Sequence, residues 1–152
     1  MLIRPLNLND YLFAFRLRND TRVLQWFHSG VGTTYLRHSI WFAKRFIFRR
    51  NSTLIACVEN QPVGICYLSN DSKEGVCLLS VNVSISFRRN GVGKQLLIHA
   101  IEVAKGIGIK EIKASIHVKN LASLGLFEQL GFVQTTNSAK LVDFILMEKT
   151  LN

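Results

Sequence analysis

Two glycines one residue apart, Gly91 and Gly93, lie in the segment RRNGVGKQLL, residues 88–97, between two arginines and an apolar run. Glycine lets the backbone approach an anion closely, and a helix that begins here offers unpaired N–H groups and the positive end of its dipole. Three side chains add positive charge, namely Arg88, Arg89 and Lys94. The segment predicts a phosphate-binding loop, with a tight turn between a strand and a helix as the alternative.

The segment fits neither of two common nucleotide-binding loops. A P-loop needs Gly, four residues, Gly-Lys and then Ser or Thr, but Gln95 follows Lys94 and Arg88 takes the place of the first glycine. The dinucleotide-binding fingerprint needs a third glycine three positions after Gly93, where the chain has Leu96. What remains is the pattern Arg-x-x-Gly-x-Gly at a strand-to-helix junction.

A second pattern, NLASLGLFEQLGF, covers residues 120–132. Together the two patterns resemble the GNAT superfamily of acetyl-CoA-dependent N-acetyltransferases, and the resemblance extends over essentially the whole chain. The loop pattern of that family, Gln/Arg-x-x-Gly-x-Gly/Ala, is met by Arg88, Gly91 and Gly93. The later pattern, Asn-x-x-Ala/Ser-x-x-Leu-Tyr-x-x-x-Gly-Phe, is met by Asn120, Ser123, Leu126, Gly131 and Phe132.

The resemblance implies where acetyl-CoA binds as co-substrate. The pyrophosphate is expected beside Arg88 on the backbone amides of Arg89, Asn90, Gly91, Val92, Gly93 and Lys94. The preceding strand, at Val81, Asn82 and Val83, is expected to pair with the pantetheine arm and to polarise the thioester carbonyl through its amides, as an oxyanion site does. Asn120 is expected to hydrogen-bond the cofactor arm, a role compatible with capping a helix.

Proton transfer is harder to assign. Many family members have a tyrosine acid at the position of Phe127, which cannot donate a proton. Another group or water replaces it, or the acid is dispensable because a thiol of pKa about 8.5 is a tolerable leaving group. The phenylalanine also leaves open an acyl-CoA-binding protein without turnover. Phe127 remains among the residues expected at the acetyl-CoA site.

The general base is predicted from one strand. The ribosomal-protein acetyltransferases carry a glutamate where this chain has Ser115, and His117 shares the face of Ser115 because strand side chains alternate. Histidine titrates near pH 6.5, which suits a base, so His117 is the predicted catalytic residue, with a packing role as the alternative. Glu74 is a weaker candidate.

The N-terminal half, where the family varies, is expected to bind the acceptor. Its residues resemble the branch that acetylates the 4-amino group of UDP-linked amino sugars on the way to pseudaminic acid-type surface glycans. The shared order is LRND at 17–20, then Trp26, Ser29, His38 and Trp41-Phe42. Part of this order also occurs in enzymes that acetylate protein N-termini, so a protein or peptide amine is the alternative acceptor.

The chemistry of a nucleotide-linked sugar fits this half of the chain. It needs cations, which Arg18, Arg22 and Arg37 offer, and aromatic faces. The predicted acceptor residues are Arg18, Trp26, His38 and Trp41. Both tryptophans and His38 also fit packing roles. Residues 16–50 contain one carboxylate, Asp20, which favours an anionic acceptor over a basic peptide.

The composition limits the other function classes. There are 19 Lys+Arg against 10 Asp+Glu, a net charge of +9, which favours anionic partners. The basic residues are dispersed, so a nucleic-acid partner is a remote alternative. We expect free, buried thiols for Cys57, Cys66 and Cys77, no metal ligands, no membrane span, a cytoplasmic location, and a monomer or homodimer.

Hydrophobic periodicity and turn residues predict the elements that hold these residues. Strands are expected at 2–4, 53–59, 62–69, 75–87, 110–118, 132–136 and 141–148, and helices near 10–18, 34–49, 91–105 and 120–130. The order is β-α-α-β-β-β-α-β-α-β-β. The predicted fold class is α/β, a GNAT-like three-layer α/β/α arrangement with a central mixed, mostly antiparallel sheet, as one domain spanning residues 1–152.

Three details of the helices are also predicted. Asn9 or Asp10 is expected to cap the first helix, and Asn120 the last. The second helix is expected to supply apolar faces through Ile40, Trp41, Ile47 and Phe48. The helix after the glycine loop is expected to bury one stripe, made of Leu96, Leu97, Ala100, Ile101 and Ala104.

Overall fold

A seven-stranded sheet forms the centre of the molecule in a computed structural model, which describes residues 1–69, 75–135 and 143–151. The strands are β1 (Leu2–Pro5), β2 (Thr53–Val58), β3 (Gln61–Ser69), β4 (Val76–Val83), β5 (Glu111–His117), β6 (Val133–Gln134) and β7 (Phe144–Thr150). Their order in the sheet is β1-β2-β3-β4-β5-β7-β6, and only β4 and β5 pair in parallel among the described strands. The mixed, mostly antiparallel sheet is confirmed. Glu74 lies outside the described residues, as do positions 136, 141 and 142 of the last two predicted strands.

Helices cover both faces of the sheet. They are α1 (Tyr11–Asn19), α2 (Thr21–Leu24), α3 (Tyr35–Phe48), α4 (Val92–Gly106) and α5 (Leu121–Gln129). α1 and α3 pack on one face of the sheet, over β2 and β3, and α4 and α5 share the core on the other face, so the three layers are confirmed. The predicted element order holds, with the short α2 in addition. Among the helices of the described ranges, none has the length and hydropathy of a transmembrane segment.

α4 carries most of one core. Its stripe is buried as the periodicity predicts, at Leu96, Leu97, Ala100, Ile101 and Ala104. α5 begins at the predicted cap, because the side chain of Asn120 accepts a hydrogen bond from the amide of Ser123 at 3.2 Å. The loop beyond α5 contains Gly131 with φ of +78°, which suits glycine. The local signals around these two helices therefore specify their bounds closely.

The start of α1 differs from the prediction. Asp10 precedes the helix but makes no side-chain cap to it. Its carboxylate is buried and accepts two hydrogen bonds from Arg4 of β1 and one from the amide of Asn7. Asp10 instead completes a capping box with Asn7 around the preceding 3-10 turn. Arg4 pairs with its charge, because a buried carboxylate is costly unless it is paired.

The buried face of α3 also differs from the prediction. His38 and Phe42 are the buried residues of this helix, whereas Ile40, Ile47 and Phe48 are 50%, 67% and 76% exposed. α3 is amphipathic, and its apolar side holds Leu36, Ile40 and Ile47, yet this side is the exposed one. Contact with Tyr11 of α1 selects the face that holds His38 and Phe42.

The sheet opens between β4 and β5. The two strands pair over three positions, at Val76 with Glu111, Cys77 with Ile112, and Leu78 with Lys113. Beyond Leu78, β4 continues to Val83 with β3 as its paired neighbour. The edge of β4 that faces β5 is therefore free over its last five residues, within the described part of the chain. This opening positions the candidate site.

Candidate active site

The free edge of β4 presents backbone groups to the opening. The amide of Ser84 donates to the carbonyl of Val63 in β3 at 2.8 Å. Because hydrogen bonds of an antiparallel pair alternate along the strand, the backbone groups of Val81 and Val83 point away from β3, into the opening. The Nε of Arg88 donates to the carbonyl oxygen of Val83 at 3.2 Å, in agreement with this direction. The N–H groups of Val81 and Val83 are thereby available to pair with an extended ligand.

The side chains of β4 separate the two faces of the sheet. Val81 and Val83 pack against the core beneath α4, whereas Asn82 turns to the opposite face, where it lines a cavity. The end of β4 therefore borders both a candidate cofactor groove and a candidate acceptor cavity. The sequence predicted Asn82 only for the first of these.

The two glycines of the loop have different roles. Gly91 has φ of +75°, and a Cβ at this position would have no neighbour within 4 Å, so the backbone there faces open space. A Cβ at Gly93 would lie 3.3 Å from Leu126 Cδ2 and 3.7 Å from Val83 Cγ2. Gly91 thus permits an αL turn, and Gly93 permits α4 to approach α5 and β4.

The loop fits a pyrophosphate. Gly91 is the N-cap of α4 and makes no side-chain cap within the described residues, so the first amides of the helix are available. Arg89 also has a positive φ, of 66°. Four polar or charged side chains around the turn are exposed, namely Arg88, Arg89, Asn90 and Lys94, whereas Val92 is buried and anchors the helix. Unpaired amides, positive charge and an open surface together suit an anion.

Two predicted cofactor residues lie farther into the fold. Asn120 is half-buried, and its side-chain oxygen Oδ1 caps α5. The side-chain nitrogen Nδ2 is therefore left for a ligand. Phe127 is 2% exposed, and its ring packs edge-on against Phe132 with centroids 4.8 Å apart. This placement differs from the expected contact of Phe127 with acetyl-CoA, because the ring has almost no accessible surface to offer. Its apolar neighbours account for a phenylalanine here.

A cavity of about 270 Å³ lies on the other face of the sheet, between α1, α3, the segment 27–33 and the strands β3 and β4. Arg18, His38 and Trp41, all predicted as acceptor residues, line it together with Arg37. Trp26 does not line this cavity. Its ring lies instead against His117, with centroids 5.6 Å apart. Of the four predicted acceptor residues, the structure therefore brings three together.

Arg18 is the cation at the cavity wall. Its guanidinium lies 3.9 Å above the ring of Phe27, and Nη2 donates to Ser29 Oγ at 3.2 Å. Nη1 is buried and has no hydrogen-bond partner among the described residues. Burial lowers the pKa of Arg18, which nevertheless stays charged at neutral pH. No carboxylate is among the described residues that line the cavity. An anionic group that enters the cavity therefore meets the positive charge of Arg18 and no competing carboxylate.

His38 and Trp41 form the aromatic wall. His38 is buried, and its Nε2 lies 3.3 Å from the carbonyl oxygen of Tyr11, so Nε2 is the donor. Burial lowers the pKa of His38, which leaves the ring neutral at pH 7. Trp41 is half-buried between His38 and Tyr67, with ring centroids 5.4 and 5.9 Å away. Both residues have packing roles and also border the cavity, so their packing is compatible with the predicted contact to an acceptor.

His117 lies at the end of β5 on the same face. Its Nδ1 accepts a hydrogen bond from the amide of Lys119 at 3.1 Å. In the neutral ring the proton therefore resides on Nε2, and the lone pair of Nδ1 is already engaged. This geometry suits a hydrogen-bond donor better than the predicted general base.

His28 is a neighbour that sequence reasoning missed. Its Nε2 lies 2.8 Å from Ser115 Oγ, and its ring stacks on Phe144 with centroids 3.6 Å apart. Phe27 and Ser29, on either side of His28, line the acceptor cavity instead. His28 and Ser115 are 87 positions apart, so no local pattern could have connected them.

Comparison with known proteins defines the class. A model of the acetyltransferase (GNAT) family matches residues 14–132. The chain belongs to this family, and acetyl-CoA is its acyl donor. It is an N-acetyltransferase that acts on an amine of a small molecule or a protein.

Individual relatives agree on this class. A [Ribosomal protein bS18]-alanine N-acetyltransferase from Escherichia coli is 24% identical over 138 residues, which cover 88% of this chain and 82% of the relative. Two solved structures share the fold. A ribosomal-protein-alanine N-acetyltransferase from Brucella melitensis has a TM-score of 0.82 at 23% identity, covering 99% of this chain and 100% of the other. A phosphinothricin acetyltransferase from Sinorhizobium meliloti, in complex with acetyl-CoA, has a TM-score of 0.82 at 17% identity, covering 99% and 88%.

Proposed function

We propose that this enzyme acetylates the primary amine of an anionic small molecule, namely the 4-amino group of a nucleotide-linked amino sugar. Arg18 is the observation that carries the proposal. Arg18 borders the cavity, and no carboxylate pairs with it among the described residues. An acceptor phosphate in the cavity supplies the missing negative charge.

The remaining walls of the cavity are compatible with such an acceptor. Arg37 adds a second positive charge, and Trp41 and Phe27 offer apolar ring faces for a sugar or a base. A cavity of about 270 Å³ accommodates one ring or phosphate group of the molecule, slightly less than the usual volume of about 300–1,000 Å³ for ligand pockets. The rest of a nucleotide sugar extends over the exposed side chains of segment 27–33.

The residues of the chain have the following proposed roles. The amides from Arg89 to Lys94, with the side chain of Arg88, hold the pyrophosphate. Bound acetyl-CoA supplies an activated acetyl group as a thioester. The N–H groups of Val81 and Val83 stabilise the negative charge that develops on the carbonyl oxygen during attack by the amine. Asn82 borders the acceptor cavity beside those amides, so the amine enters from that face.

A thiol-release screen tests the acceptor. Wild-type enzyme is supplied with acetyl-CoA and either a UDP-linked 4-amino sugar or peptides with N-terminal alanine. Arg18→Gln is expected to raise the KM for the UDP-sugar about 10- to 100-fold, because a hydrogen bond to a charged group contributes about 1.5–3 kcal/mol. The KM for acetyl-CoA is expected to stay unchanged. Arg22→Gln is the matched control, since Arg22 is exposed and paired with Asp20.

A protein N-terminus is the second candidate acceptor. The similarity to [Ribosomal protein bS18]-alanine N-acetyltransferase favours it. The absence of carboxylates from the described cavity lining argues against a basic peptide. Robust acetylation of a basic peptide, without response to any nucleotide sugar, would overturn the first proposal in favour of this one.

A further inference from the structure

Ser115 lies beside the opening of the sheet. It follows the last residue of β5 that pairs with β4, Lys113, by two positions. Ala114 and Ile116 point into the core beneath α4, so Ser115 and His117 point to the opposite face. Asn82 of β4 points to that same face. The Ser115 hydroxyl is therefore on the acceptor side of the sheet, where the strands have separated.

His28 contacts the Ser115 hydroxyl on this acceptor side of the sheet. The segment from Trp26 to Ser29 alternates, with Phe27 and Ser29 on the acceptor cavity and Trp26 and His28 against β5 and β7. The 2.8 Å contact with Ser115 Oγ and the stack on Phe144, inclined by 21°, fix the ring in two directions. The outer side of the ring is exposed to solvent. His28 therefore connects a hydroxyl at the opening with bulk water.

We propose that Ser115 and His28 form a proton relay for the acceptor amine. The amine reaches the enzyme as an ammonium ion and must lose a proton before its lone pair can attack. Ser115 Oγ accepts that proton while it gives its own proton to His28 Nε2. One ammonium N–H bond and the original serine O–H bond break, and a new O–H bond and an imidazole N–H bond form. The products are a neutral amine, an intact serine and an imidazolium, which releases its proton to water.

His117 is the less suitable histidine for this step. Its Nδ1 is engaged by the amide of Lys119, and its other nitrogen carries the proton in the neutral ring. The Nε2 of His28, in contrast, contacts a group that can both donate and accept. Acceptance of a proton by His28 therefore requires no change of hydrogen-bond partners.

Charged and titratable groups occur on the elements next to His28. On β5 they are His117 and Lys113, and on β7 Glu148, which already lies 3.9 Å from Lys113. Asp143 precedes β7, and Arg18 of α1 reaches the adjacent Ser29. Within the described chain no carboxylate forms an ion pair with His28.

The relay is tested by pH–rate profiles of wild type, His28→Gln, Ser115→Ala and the double variant. The assays use saturating acetyl-CoA with a UDP-linked 4-amino sugar and, separately, a peptide with N-terminal alanine. The proposal rests on the acetylation of an amine at this site, not on which of the two is the better acceptor. Failure with the sugar alone thus counts against the proposed acceptor and leaves the relay to be decided on the peptide.

We expect each variant to lose about 100-fold or more in kcat/KM where the amine is protonated, the usual contribution of a general base. The loss should shrink as pH rises and the amine deprotonates unaided. The double variant should be no worse than either single variant, because the two groups act as a unit. His99→Gln, at an exposed position of α4, is the control and should keep the wild-type profile.

Three outcomes would overturn the relay. An equal loss of kcat/KM at every pH would mean that His28 only positions its loop and takes no part in proton transfer. Additive losses of kcat/KM in the double variant would mean that Ser115 and His28 act independently. A wild-type enzyme that acetylates neither amine would count against both proposals. Calorimetric titration with acetyl-CoA, with unchanged affinity expected in all variants, establishes that the folded donor site is retained.

Discussion

Arg4 and Asp10 are joined by two parallel hydrogen bonds, from Nη1 to Oδ2 at 2.7 Å and from Nη2 to Oδ1 at 2.8 Å. The carboxylate of Asp10 is buried, and it also accepts the amide of Asn7 at 2.7 Å. The pair fastens the start of α1 to β1, and α1 carries Arg18 at its other end. The acceptor cavity therefore depends on a contact some distance from it.

Removal of the Arg4 cation from this pair should lower the stability of the fold. Arg4→Met leaves a buried carboxylate with the Asn7 amide alone, and we expect the free energy of unfolding to fall by about 2–3 kcal/mol. Urea denaturation measures the change. Arg22→Met breaks the exposed pair with Asp20 and should change stability little. Equal effects of the two substitutions would contradict a special role for the buried carboxylate.

Gly91 and Gly108 form a matched pair at the two ends of α4. Both have φ of +75°, and a Cβ at either one would have no neighbour within 4 Å. Gly91→Ala and Gly108→Ala should therefore cost similar stability, about 1 kcal/mol, for the left-handed backbone. Only Gly91→Ala should weaken the binding of acetyl-CoA in calorimetry, because its methyl group enters the space above the proposed pyrophosphate site. Equal affinities in the two folded variants would rule the loop out.

A tyrosine at position 127 tests the missing acid. Phe127 is enclosed by apolar neighbours, so Phe127→Tyr should lower the free energy of unfolding by about 1–3 kcal/mol, the cost of a buried hydroxyl without a partner. Phe48→Tyr, the same change at an exposed position of α3, should be nearly neutral. Unchanged stability together with faster turnover would mean that the hydroxyl reaches the cofactor groove.

His38 should make the fold sensitive to mild acid. Burial lowers its pKa in the native state, whereas an unfolded histidine takes up a proton near pH 6.5. As pH falls below about 6.5 the unfolded chain therefore binds more protons than the native one, and stability decreases. The urea midpoint of wild type should fall between pH 7.5 and 5.5 more than that of His38→Gln. His99→Gln should retain the wild-type decrease, and an identical slope in His38→Gln would contradict the assignment.

The sequence predicted correctly those features that local signals determine. The stripe of α4, the cap at Asn120 and the element order all follow from periodicity and turn chemistry. The buried face of α3 did not, because contact with α1 buries His38 and Phe42 and leaves the apolar side of this helix exposed. Asp10 was misassigned because its partner, Arg4, comes from another element. The contact between His28 and Ser115 joins distant segments, and a single sequence carries no record of it.

The sheet is continuous across only three residue pairs between β4 and β5. β1 to β4 form one panel and β5 to β7 another, and this short junction joins them. A ligand that bonds the free edge of β4 and also lies against β5 would connect the panels as an added strand would. Amide hydrogen exchange should then slow in both panels when acetyl-CoA binds, even at positions that never touch it.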